Sequence, residues 1–178
     1  MSHKKLIVIL VSTLFIVCIV VTPFTFVAHA AHAASSSSSF ICYEAHVQNI
    51  GWQNTVCDGG VAGTTGKSLR MEAIGVQLAH PLPGLNVCYS AYIQNRGWGG
   101  TTCDGITAGT TGESLRMEAI KIWITSDNNF NHGTVYYQTH VQNIGWQSPV
   151  HDGGVAGTTG RSLRIEAIKI WGSQYATA

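Results

Sequence analysis

The sequence predicts an all-β fold, in which three pseudo-threefold repeats form one closed β domain. A β-prism-like body is the leading form and a β-trefoil the alternative. Three observations carry that expectation. One block of residues recurs three times. Each copy alternates apolar and polar side chains with period two. No single copy is large enough to bury its own apolar face, whereas three together are.

Residues 1–33 read as a secretory signal peptide. Lys4 and Lys5 precede an apolar run from Leu6 to Val21, and Ala28-His29-Ala30 and Ala31-His32-Ala33 offer small-residue exit sites. Val17 stands where lipidation of Cys18 would need a small residue. Residues 34–40, with Ser35 to Ser39, form a polar tether. The expected domain is 41–178, with repeats at 41–80, 87–126 and 135–172. Charged residues are only 11% of the chain and the net charge is +1, against roughly a quarter charged in an average domain. A nucleic-acid partner, which requires a concentrated basic face, is therefore excluded from the expectation.

The repeats are close copies. Gly51-Trp52 returns as Gly97-Trp98 and Gly145-Trp146, and Asp58-Gly59 as Asp104-Gly105 and Asp152-Gly153. Ala62-Gly63-Thr64-Thr65-Gly66 recurs unchanged from Ala108 and from Ala156. Ser68-Leu69-Arg70-Met71-Glu72-Ala73-Ile74 recurs from Ser114, and from Ser162 with Ile165 in place of Met71.

Within a copy, Tyr43, Ala45 and Val47 alternate with Glu44, His46 and Gln48, which predicts a half-buried strand. Asn49-Ile50-Gly51 is a turn signal, since glycine adopts positive φ without penalty. A second strand is expected from Trp52 toward Val56, then a Gly/Thr loop, then a strand from Leu69 into Ile74–Leu78. Leu69, Met71 and Ala73 are out of phase with Ile74, Val76 and Leu78, and an extra residue at Ala73–Ile74 would turn both sets inward.

Cys42 and Cys57 occupy the same two places as Cys88 and Cys103, and both places change together in the third copy, to Tyr136 and His151. Positions that lose cysteine as a pair are expected to be bonded, and export makes this reasonable. The expected bridges are Cys42–Cys57 and Cys88–Cys103. With 42 facing 57, an uninterrupted hairpin puts 45 opposite 54 and 47 opposite 52, and so places Trp52 on the apolar face beside Val47. A glycine bulge at Gly51 would slip the pairing by one, but the agreement of bridge and apolar face argues against it.

The run His46-Val47-Gln48-Asn49-Ile50-Gly51-Trp52, with the Asp-Gly, Ala-Gly-Thr-Thr-Gly and Arg-x-Glu-Ala-Ile segments, resembles the ChW repeat, the clostridial hydrophobic repeat with a tryptophan in a Gly-Trp pair. Copy two departs from it with Tyr92 for the histidine and Gly99-Gly100 after the tryptophan. The resemblance implies an exported bacterial protein of the cell surface or medium, acting as an interaction or adhesion module. It supplies no catalytic residue.

Two groups are candidates for ligand contact. Trp52, Trp98 and Trp146 offer flat faces for stacking on pyranose rings, although the reading preferred from the pattern is core. Asp58, Thr64 and Thr65, with Asp104, Thr110 and Thr111 and with Asp152, Thr158 and Thr159, offer donors and acceptors suited to sugar hydroxyls. The competing reading of those loops is turn chemistry. Trp123 and Trp171 read as packing. Arg70 and Glu72, like Arg116/Glu118 and Arg164/Glu166, read as structural ion pairs, because a catalytic carboxyl pair has no reason to be copied into every unit. The histidines lack the spacing of a zinc site, and one carboxylate per loop is too few for calcium. No metal or cofactor is expected. The expectation is a secreted, non-enzymatic module, not membrane-embedded once mature, that binds extracellular glycan or, alternatively, a cell-surface protein.

Overall fold

A computed structural model of the chain describes residues 39–127 and 133–172. The expected signal segment, and the linker as far as residue 38, lie outside the described residues. Every regular element described is a strand. No helix among the described residues is long and apolar enough to cross a membrane.

The first repeat contributes β1 (Ile41–Val47), β2 (Gly51–Trp52), β3 (Val56–Cys57), β4 (Ala62–Gly63) and β5 (Met71–Leu78). The second contributes β6 (Leu85–Ile93), β7 (Gly97–Trp98), β8 (Thr102–Cys103), β9 (Ala108–Gly109) and β10 (Met117–Ser126). The third contributes β11 (Val135–Val141), β12 (Gly145–Trp146), β13 (Val150–His151), β14 (Ala156–Gly157) and β15 (Ile165–Gly172). Three five-stranded sheets result, one per repeat, each centred on a long antiparallel pair: β1 with β5, β6 with β10, and β11 with β15.

The fifth strand of each sheet is borrowed. β9 of the second repeat pairs with β5 of the first, through Ala73↔Gly109 and Ile74↔Ala108. β14 of the third pairs with β10 of the second, and β4 of the first pairs with β15 of the third, through Ala167↔Gly63 and Ile168↔Ala62. The approach is close enough to demand glycine. A Cβ on Gly63 would lie 2.4 Å from the Glu166 carbonyl oxygen, and the residue's φ of +101° is itself unfavourable for an L side chain.

Buried tyrosines tie the same partners together. The Tyr43 hydroxyl donates to the Gly60 carbonyl of its own loop and accepts from the Ile170 amide of the third repeat at 2.9 Å. Tyr89 stands in the same relation to Val76 of the first repeat, and Tyr137 to Ile122 of the second. Each hydroxyl thereby answers a buried backbone amide of another repeat and a carbonyl of its own. Burial pushes the Tyr43 and Tyr137 hydroxyls up to about 12 and raises that of Tyr89 as well. One apolar core draws on all three repeats, including Ile41, Tyr43, Ile74, Tyr89, Ile122, Tyr137 and Ile170.

Both bridges form, Cys42–Cys57 and Cys88–Cys103, and Cys42 faces Cys57 across the hairpin with Tyr43 opposite Val56. The far end of the hairpin is not in that register. Val47 faces Gly51 and His46 faces Trp52. Asn49 (φ 62°) and Gly51 (φ 84°) close the turn one residue sooner than an uninterrupted hairpin would. The surplus residue is taken up between β2 and β3. The slip sends Trp52 to the outer face, so the reading of these tryptophans as core residues is wrong: Trp52, Trp98 and Trp146 are 41%, 37% and 36% exposed.

The bulge in the last strand is also displaced from its expected place. Val47 pairs with Met71 while His46 pairs with Ala73, so the extra residue is Glu72. Met71 and Ile74 then point into the core. Ala73 faces outward, yet it is fully buried, with Gly109 of the borrowed β9 packed closely against it.

Candidate functional site

The register slip creates a repeated cluster on the outer face of each sheet. In the first repeat the Trp52 ring meets His46 edge-on at 5.4 Å. His46 Nδ1 lies 3.2 Å from Glu72 Oε2, and Arg70 Nε donates to Glu72 Oε1 at 2.9 Å. The third repeat repeats the arrangement with Trp146 and His140 at 5.4 Å, His140 and Glu166 at 3.2 Å, and Arg164. In the second, Tyr92 replaces the histidine against Trp98 at 5.5 Å, and Arg116 holds Glu118.

The cluster has a physical order. Glu72, Glu118 and Glu166 are nearly buried at their bulges, and burial of a carboxylate requires a cation and hydrogen bonds. Arginine supplies both from two residues away on the chain. Where histidine is present it lies between the carboxylate and the tryptophan, in T-shaped contact with the indole. The Lys121 ammonium lies 4.6 Å from the Trp98 ring centroid and that of Lys169 4.9 Å from Trp146, both within cation–π range. Gly75 takes the lysine's place in the first repeat.

The candidate loop residues divide. Asp58 accepts from the Phe40 and Ile41 amides at 3.0–3.1 Å, Asp104 from Val87 at 2.9 Å, and Asp152 from Val135 at 3.0 Å. Each aspartate, in left-handed backbone, accepts from the start of the first long strand of its own repeat while remaining exposed. Thr64, Thr110 and Thr158 are buried and their amides donate to Glu166, Glu72 and Glu118 across the borrowed-strand junctions. Thr65, Thr111 and Thr159 are exposed. The structure therefore groups the tryptophans with His46, His140 and Tyr92 and separates them from the aspartates. It places Trp123 and Trp171 half-exposed on the outer faces, with Trp171 stacked on Tyr136.

Pattern reading overlooked Gln53 and Gln147. The Gln53 carboxamide accepts from the Gly63 amide at 2.6 Å and donates to the Gly63 carbonyl at 3.2 Å. Gln147 holds Gly157 at 2.8 and 3.4 Å. Their signal was the departure of copy two, which has Gly99 there. Among the described residues no group of three or more His, Cys, Asp or Glu could hold a metal ion.

The family model for the clostridial hydrophobic W repeat matches residues 46–79, 92–126 and 140–171. These segments make up more than half of the chain, which therefore belongs to that family. No curated protein and no solved structure matches it.

Proposed function

We propose that this chain is a secreted, non-enzymatic binding module whose outer sheet faces hold extracellular or cell-wall polysaccharide through Trp52, Trp98 and Trp146. The observation that carries the reading is their exposure at three equivalent places, each ring in T-shaped contact with His46, Tyr92 or His140 and not packed away. A rigid half-exposed indole binds a pyranose with little ordering cost, and three shallow sites multiply through avidity. The glutamates, each paired with an arginine, support structural over catalytic service. The disulfides are compatible with export, which the basic-apolar-small pattern of residues 1–33 supports. The exchange of short strands from second to first, third to second and first to third supports closure of the domain round one axis, in a prism-like body.

A protein-binding role without a sugar site is favoured by a separate observation, the aspartates engaged by their own backbone. Retention on insoluble cell-wall polymers distinguishes the two. The polysaccharide reading predicts retention that falls at least tenfold when all three tryptophans become alanine, whereas absence of retention on every polymer tested contradicts it.

A further inference from the structure

The second repeat has a cavity of about 220 Å³ bounded by Ala91, Arg96, Gly99, Thr102, Thr107 and Gly109. It lies where the first and third repeats have the side chains of Gln53 and Gln147. The backbones agree: the amide at this position donates to Ala45 at 3.0 Å, to Ala91 at 2.9 Å and to Thr139 at 3.0 Å. The carboxamide is missing, and Thr102 and Thr107 line the cavity where the other two repeats have valine. Gly63 and Gly157 each exchange two hydrogen bonds with that carboxamide. Gly109 holds the same register against β5 as Gly63 holds against β15. Its N–H and C=O therefore point into the cavity, and no side chain among the described residues replaces the glutamine.

We propose that this cavity is a binding site for a primary carboxamide, supplied by a glutamine or asparagine side chain of a partner protein. A primary amide carries an N–H on the same side as its C=O, so it meets the donor and acceptor of one residue at once, as Gln53 and Gln147 do. A secondary amide is trans and its two groups point apart. The cavity is smaller than the roughly 300–1,000 Å³ of ordinary small-molecule pockets and suits the end of one side chain. Its rim favours a neutral group, because the Arg96 guanidinium is paired with Glu113. A side chain has room here: apart from its chain neighbours, a Cβ on Gly99 would come no nearer than 3.5 Å, to the Ala91 carbonyl oxygen, and one on Gly100 would meet nothing within 4 Å. This site is independent of the tryptophan faces.

Amide NMR spectra of the protein test the assignment. Propanamide and a tripeptide with central glutamine are expected to shift the Gly109 and Thr110 amide resonances saturably, the peptide at lower concentration. Propanoate and N-methylacetamide are expected to leave them unmoved. Gly99→Gln should fill the cavity from within, abolish the response and raise the melting temperature. Should that variant not fold, Gln53→Gly decides, because it should open a second responsive site at Gly63. Silence toward propanamide or the glutamine peptide, an equal response to N-methylacetamide, a response persisting in G99Q, or a Gly63 that stays silent in Q53G would overturn the proposal.

Discussion

The first and third repeats solve one problem in two ways. Cys42 faces Cys57 in one, and Tyr136 faces His151 at the equivalent register position in the other. The first pair is covalent. In the second, the Tyr136 ring lies 5.6 Å from His151 and stacks on Trp171 at 6.1 Å with an interplanar angle of 14°. The remaining pairings of β1 and β11 match residue for residue, bulge included. The hairpin is therefore specified by its turn, its inward tyrosine and its borrowed strand. The disulfide adds stability to a register that exists without it.

That comparison can be broken at several points. Cys42→Ser with Cys57→Ser should lower stability by about 3 kcal/mol, by the loop-entropy model for a fifteen-residue separation, while the amide spectrum keeps its dispersion. Conversely, Tyr136→Cys with His151→Cys should form a third bridge, seen as loss of two titratable thiols, with a gain of about 2 kcal/mol.

The tyrosine hydroxyls common to all repeats come next. Tyr137→Phe leaves the Ile122 amide and Gly154 carbonyl without their shared partner and should cost about 2 kcal/mol in denaturant titration. The same hydroxyls set an alkaline limit. The folded state holds the protons of Tyr43 and Tyr137 up to about 12, above the ordinary 10.0. Stability from this source is complete below pH 10 and is lost as pH rises toward 12. The melting temperature should fall across that interval, and Y137F should flatten the fall. The smallest effect is expected at the outer face, where Trp52→Ala should change stability by only about 0.5 kcal/mol. A core tryptophan would cost several times more.

Much of this was legible in the chain. The threefold repetition, the paired loss of Cys42 and Cys57 in copy three, and the inward tyrosines define strands, bridges and one face. The side of Trp52 was not legible, because one surplus residue between β2 and β3 alters nothing at the bridge and yet inverts the strand's far end. The borrowed Ala-Gly strands were hidden as well. Two residues carry no periodicity, and the requirement for Gly63 becomes plain only when the Glu166 carbonyl of another repeat is seen against it. The arginine–glutamate pairing two residues apart was readable. The histidine that joins it to tryptophan was not, since that contact depends on the slipped register.

Each repeat completes another's sheet, including the first completing the third. Hydrogen exchange in Gly63→Ala tests this most directly. A methyl group there collides with the Glu166 carbonyl and the Ala167 backbone. Loss of protection is expected at Ile168 and Ile170, about a hundred residues away in sequence, together with the first repeat. Deprotection confined to the first repeat, with β15 as slow as in the parent protein, would contradict it.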